Sequence, residues 1–236
     1  MLADLYVCQR PPPNALLWRY MDLPRFMSLL HTRSLFFVRA DRLGDPFEGS
    51  ITSPTQQERI RFAESLGEPH CARVLRALQS LKNLRTWFAV SCWHENPHES
   101  EAMWGLYATR NAGVAIRSTA RRLFQACGAS PRPIYVSRVK YIDYAKDTIP
   151  SDNTFWPYLR KRKSFEHERE VRALILNDDP IDGDMLVPVS IESLVEAVIL
   201  SPLAPNWFLE AVKYVVERCG LHLPVLQSSL ILPPLF

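Results

Sequence analysis

The segment Phe165-Glu166-His167-Glu168-Arg169-Glu170-Val171-Arg172 holds the densest polar chemistry of the chain. Glu168, Glu170 and Arg172 are two apart, so at the start of a strand all three point to one face. Two carboxylates on one face raise each other's proton affinity unless a cation or hydrogen-bond donor intervenes. Arg172 itself, with Lys161, Arg162 and Lys163 just upstream, supplies cations. Such a cluster can orient a hydroxyl, stabilise a positive transition state or hold a metal ion. A self-paired charge ladder without a ligand has the same composition, and local sequence alone favours it.

A second segment runs from Arg39 through Asp41-Arg42-Leu43-Gly44-Asp45-Pro46-Phe47-Glu48-Gly49. Asp45 before Pro46 favours a turn or extended backbone, and Gly44 and Gly49 permit close approach of a ligand. As a ligand loop it offers Phe47 for stacking and Asp45 or Glu48 as acceptors; as a structural turn it needs no ligand. Arg19, between Trp18 and Tyr20 on a short strand, points opposite to both. It needs a partner: Glu168, Glu170 or a ligand phosphate. Trp104 and Tyr107 share one helix face, either as core or as a stacking platform. Cys92, His94 and His98 match no closed zinc spacing, so no metal site is assigned. Walker, G-x-G-x-x-G, G-x-S-x-G and H-E-x-x-H motifs are all missing.

The elements that must position these residues follow from pattern. Residues 16–20 and 34–38 are expected strands, separated by a helix capped by Asp22 with Pro24 in its first turn. Two charged helices are expected over residues 54–81, with a break near Gly67-Glu68-Pro69. Residues 87–93 are expected as a buried strand. Asn96-Pro97-His98-Glu99 has the composition of a helix start, leading into Met103, Trp104 and Tyr107. A strand (113–117), a short helix (119–126) and one long strand (134–144) follow. Residues 156–163 suggest a basic helical turn. Residues 170–176, 194–200 and 223–228 are expected strands, with the clearest helix over 206–219. This order predicts an α+β fold: a mixed, mostly antiparallel central sheet with helices packed around it.

The chain has 236 residues and a formal net charge of +3, which does not mark a general nucleic-acid binder. Its five cysteines form no C-x-x-C pair, which fits a reducing compartment. No secretory signal and no membrane span is legible, so a cytoplasmic protein is expected. Pro11-Pro12-Pro13 sets off a short arm, residues 1–15, from one globular domain over 16–236.

The motifs Leu17-Trp18-Arg19-Tyr20, Leu43-Gly44-Asp45-Pro46-Phe47-Glu48-Gly49, Ser91-Cys92-Trp93, Met103-Trp104-Gly105-Leu106-Tyr107, Gly113-Val114-Ala115-Ile116 and His167-Glu168-Arg169-Glu170-Val171-Arg172 occur in that order. Together they resemble a widespread bacterial domain family without an assigned activity, over almost the whole chain. More weakly, the arrangement is similar to ADP-ribosyltransferases of the DNA-targeting toxin type. That resemblance implies an ADP-ribosyltransferase-like fold and an enzyme that uses NAD, as a toxin or defence effector on a nucleic-acid or protein acceptor. Glu168 or Glu170 would be the catalytic glutamate. Arg19 and Arg39 would hold the pyrophosphate, with Tyr20, Asp45, Glu48 and Arg172 in the same cofactor-binding set. Phe47, Trp104 or Tyr107 would stack on a ring. Two other readings stand beside it: a binding module with a structural Glu/Arg network, and a metal-dependent nuclease using Asp45, Glu48, Glu168 and Glu170.

Overall fold

In the computed structural model, which describes residues 1–109 and 111–231, the first strand, β1 (Leu16–Asp22), buries side chains on both faces. Leu17 and Met21 join the main core, while Trp18 and Tyr20 join a smaller cluster on the opposite face. Helix α1 (Leu23–Thr32) follows directly. Asp22 caps it by accepting from the Arg25 backbone N–H at 2.9 Å. Its buried stripe is Phe26, Leu29 and Leu30, each worth about 1.5–3 kcal/mol of burial. Strand β2 (Ser34–Arg39) then leads through a short turn to the loop carrying Asp45 and Glu48.

Helices α2 (Ser53–Ser65) and α3 (His70–Ser80) form a charged hairpin broken around Gly67, as the pattern predicts. Strand β3 (Phe88–Glu95), helix α4 (Glu101–Tyr107), strand β4 (Gly113–Thr119) and helix α5 (Ala120–Gly128) come next. Strands β5 (Tyr135–Arg138), β6 (Lys140–Ile142), β7 (Arg160–Arg162), β8 (Glu170–Leu176) and β9 (Met185–Pro188) follow. The described chain closes with α6 (Ile191–Leu194), β10 (Ala197–Leu200), α7 (Asn206–Arg218) and β11 (Val225–Gln227).

Among the described residues nine strands form one sheet, with β11-β10-β4-β1-β3-β2-β9 in line and β8 and β5 added beside β3. Its pairings are antiparallel except for β10 with β11. The expected α+β architecture with a mostly antiparallel sheet is therefore the fold. α1, α5 and α7 bury one sheet face. On the other face lie α4 and the segment containing Phe155, Tyr158 and Leu159.

The structure corrects three local expectations. Residues 134–144 are not one strand. After β5, the Val139 N–H bonds to the Glu170 carbonyl, and β6 leaves to pair with β7 in a separate two-stranded sheet. Residues 156–163 are not one helical turn but a 3-10 turn, Trp156–Leu159, followed by β7. The helix expected at Asn96 begins at Glu101, because Ser100 accepts from the Met103 N–H. Glu99 is instead bound by the hydroxyls of Ser228 and Ser229 and the indole N–H of Trp104. Residues 1–15 are tied to the body: Leu2 bridges Ile134, and Val7 is buried.

Gly49 ends the acidic loop with φ +69°, and a Cβ there would lie 2.6 Å from the Tyr158 ring. Both backbone and space demand glycine. Gly49→Ala is expected to lower stability by about 1–3 kcal/mol in urea unfolding. An unchanged midpoint would contradict this placement.

Candidate functional site

Arg172 enters on the second inward-facing position of β8, and its side chain is fully buried. All five guanidinium N–H groups are used. Nη1 and Nη2 donate to the two Glu48 oxygens at 2.8 and 2.7 Å, and Nη1 also donates to the Tyr158 carbonyl at 2.7 Å. Nε and Nη2 donate to Glu170 at 2.7 and 3.0 Å. The acidic loop and the dense polar segment, distant in sequence, thus meet. Asp45 makes a second clasp, accepting from Arg162 at 2.7 Å and from its own loop's Phe47 N–H at 3.0 Å.

Glu168 was expected on the strand with Glu170. It lies instead at the end of a 3-10 turn, Lys163–Glu168. Arg169 then takes the left-handed conformation, with φ 41°, and β8 starts at Glu170. This sharp reversal still brings the two carboxylates together, because both face Lys161. Its Nζ lies 2.5 Å from Glu168, 3.4 Å from Glu170 and 3.5 Å from Glu48. The half-exposed Tyr107 donates to the other Glu168 oxygen at 2.5 Å. Three carboxylates therefore face two cations, Lys161 and Arg172, leaving one negative charge in excess.

Burial pushes the Glu170 carboxyl up, but the Arg172 guanidinium and the Lys161 ammonium outweigh it and hold it at about 2. Glu170 is thus ionised at neutral pH. Burial raises the Cys92 thiol well above its ordinary range, and the negative charge of Glu170 adds to this. Cys92 is therefore held as the neutral thiol and not as a nucleophile. The centre of the carboxylate cluster, where a nuclease would place its metal, is filled by the Lys161 ammonium and the Arg172 guanidinium.

Two clefts flank the cluster. One, of about 570 Å³, is lined by Glu170, Tyr141, Arg138, Arg169, His167 and Glu95. Arg138 is paired there with Glu95 at 2.6 Å, and the Tyr141 hydroxyl accepts from the Glu170 backbone N–H at 2.8 Å. The other cleft, of about 410 Å³, is lined by Phe47, Tyr144, Arg162 and Lys163. Phe47 is exposed at this edge, with the Arg162 guanidinium 4.3 Å from its ring centre.

Arg19 does not meet Glu168 or Glu170. Trp18 sits opposite His94, and His94 opposite Glu170, so these three share a face. Alternation turns Arg19 to the other. There it donates to the Ser91 hydroxyl at 2.7 Å and the Phe36 carbonyl at 3.0 Å. The site is a fork in the sheet: one edge of β3 pairs with β1 at residues 94–95 and with β2 at residues 89–90, leaving 91–93 between them. Burial lowers Arg19 to about 10, and no carboxylate offsets it.

The remaining predicted residues have internal partners. Arg39 is paired with Asp41 at 2.7 Å. The Tyr20 hydroxyl accepts from the Ser100 N–H, and Tyr20 packs edge-on against Trp104. Lys161 and Tyr141 are the members that sequence reasoning did not single out. For Lys161 a signal existed: it is the central residue of a three-residue strand flanked by two partly exposed arginines.

No family model matches the chain, and no curated protein matches it. Among solved structures, the chain is similar to that of Thermus sp. 2.9 DarT in complex with NAD+. Identity is 9% and the TM-score 0.44, over 95% of this chain and 100% of that one. It is also similar to the same protein in complex with ADP-ribosylated ssDNA, at 10% identity and TM-score 0.43, over 94% and 97% of the two chains. A third structure, with carba-NAD+, gives 8% identity and TM-score 0.43 over 92% and 97%.

His94 lies beside the cluster. Its Nδ1 is 2.6 Å from the Glu168 carbonyl, and the Asn96 amide is 3.2 Å from its Nε2. Burial lowers its proton affinity below the ordinary 6.5. The unfolded chain therefore binds the extra proton more readily, so this contribution is complete above 6.5 and is lost as pH falls below it. Urea midpoints are expected to drop between about pH 7 and pH 5, and His94→Gln to flatten that drop. An equal slope in both proteins would contradict a neutral, buried His94.

Proposed function

We propose that this chain is an NAD-using enzyme of the ADP-ribosyltransferase type, acting at the Glu168–Glu170 turn. One observation carries the reading. Glu170, held ionised in a buried cluster with a negative charge in excess, is among the residues that line a cleft of about 570 Å³. NAD would supply a ribose–nicotinamide bond that breaks with its electron pair leaving on the nicotinamide nitrogen, so positive charge builds on the sugar. A fixed carboxylate in a site of low polarity stabilises that charge before any solvent rearranges. Glu170 lines the cleft and is the proposed catalytic carboxylate. Glu168, bound by Tyr107 and Lys161, adds the second negative charge. The acceptor's nucleophile, from a nucleic acid or a protein, forms the new bond to the sugar and gives up its proton.

The donor set fits such a ligand. Arg19, at the fork of the sheet on the face away from Glu170, has no carboxylate partner among the described residues and is the proposed grip on a pyrophosphate that reaches the fork. Phe47 and Tyr107 have exposed ring surface for stacking. The ligand class itself comes from the weaker resemblance of the arrangement to ADP-ribosyltransferases of the DNA-targeting toxin type; the ordered motifs resemble a domain family without an assigned activity.

A second reading is favoured by the complete pairing of Arg172: a binding module in which the cluster only holds the fold. The two differ in their variants. With NAD+ and single-stranded DNA, RNA or protein acceptors, nicotinamide release is expected from wild type. Glu170→Gln is expected to reduce it by about 10²–10³-fold, and Glu168→Gln to reduce it while keeping a wild-type melting transition. No release by the wild-type protein with any acceptor would overturn the enzyme reading. Glu170→Gln removes a charged partner of buried Arg172 under either reading, so Glu168→Gln discriminates: loss of its melting transition would favour the structural reading.

A further inference from the structure

Lys161 is buried on the shortest kind of support. β7 has three residues and pairs with β6 alone, yet its central side chain turns inward while Arg160 and Arg162 reach solvent. An ammonium has three N–H groups, and three carboxylates surround this one, those of Glu168, Glu170 and Glu48. Its Nζ lies 4.7 Å from the centre of the Phe165 ring. Arg172 serves Glu48 and Glu170 and does not reach Glu168. Among the described residues, Lys161 is the ion-pair partner of Glu168.

We propose that Lys161 is a positioning residue: it holds the Glu168 and Glu170 carboxylates side by side and gives the pair its own counter-charge, so that they do not share a proton. The role in activity rests on the proposed function; the role in holding the carboxylates does not. The other groups that face them cannot take its place. Glu168 receives a neutral hydroxyl from Tyr107 of α4. Glu170 faces Arg172 on its own strand, the neutral Cys92 thiol of β3 and Tyr141 of β6. Without Lys161, Glu168 keeps no ion-pair partner among the described residues, and Glu48 and Glu170 share Arg172. Like charges at this range make one of them take up a proton at higher pH.

The test is a titration of ¹³C-carboxyl-labelled glutamates by NMR in wild type, Lys161→Met and Lys161→Arg, with Glu168→Gln and Glu170→Gln for assignment. In Lys161→Met, the Glu168 or Glu170 carboxyl is expected to titrate about 1–3 pH units higher than in wild type. Lys161→Arg, which keeps the charge, is expected to return it towards the wild-type position. Unchanged midpoints for both carboxyls in folded Lys161→Met protein would overturn the proposal. If Lys161→Met does not fold, the double variant with Glu168→Gln decides. Recovery of a melting transition supports the pairing, and a loss no smaller than that of the single variant contradicts it. Where nicotinamide release is measurable, its acid limb moves with the carboxyl in Lys161→Met. A wild type without release removes the enzyme reading but leaves the carboxyl titration to judge Lys161.

Discussion

A guanidinium with no access to water must have every donor satisfied, and Arg172 meets that demand with five hydrogen bonds to three segments of chain. The acidic loop supplies Glu48, the 3-10 turn before β7 supplies the Tyr158 carbonyl, and β8 supplies Glu170. Removing one partner would leave a buried charge uncompensated, which is far costlier than losing an exposed pair. The arrangement therefore dictates where the loop closes, where Gly49 must pass the Tyr158 ring, and where β8 begins. Lys161 then attaches the fourth piece, β7, to the same cluster.

A buried charge network can hold a fold without a ligand. This one has three carboxylates against two cations, and the surplus lies beside a cleft. The opposite imbalance occurs on the other face of the sheet. There Arg19 fills the fork between β1 and β2, bonded among the described residues to neutral oxygens. The two imbalances lie on opposite faces of the sheet and do not meet. The proposed function rests on the carboxylate side, where the surplus adjoins the cleft.

Much of this was legible in the residues. Asp22 with Pro24 announced α1, and the pattern over residues 206–219 announced α7, whose buried residues are Phe208, Val212 and Val216. The meeting of Glu168, Glu170 and Arg172 was expected, but for an incomplete reason. A two-residue spacing suits a strand, whereas Glu168 reaches the cluster through the left-handed turn at Arg169, a conformation that no glycine advertised. The partners of Arg172 were not legible, because Glu48 is joined to it only through long-range packing. Arg19 was rightly placed opposite its neighbours, yet that same alternation carried it away from the glutamates. Lys161 was hidden in a basic run, Arg160-Lys161-Arg162-Lys163, where composition cannot tell which cation turns inward.

The most direct test of the account is a titration of the ¹⁵N-labelled protein with NAD+, followed by the backbone amide signals. The account predicts that the shifting amides are those of residues 168–170 and Tyr141 around the cleft, together with Arg19 and Ser91 at the fork. Shifts confined to other surfaces, with both of these regions unmoved at saturating NAD+, would contradict it.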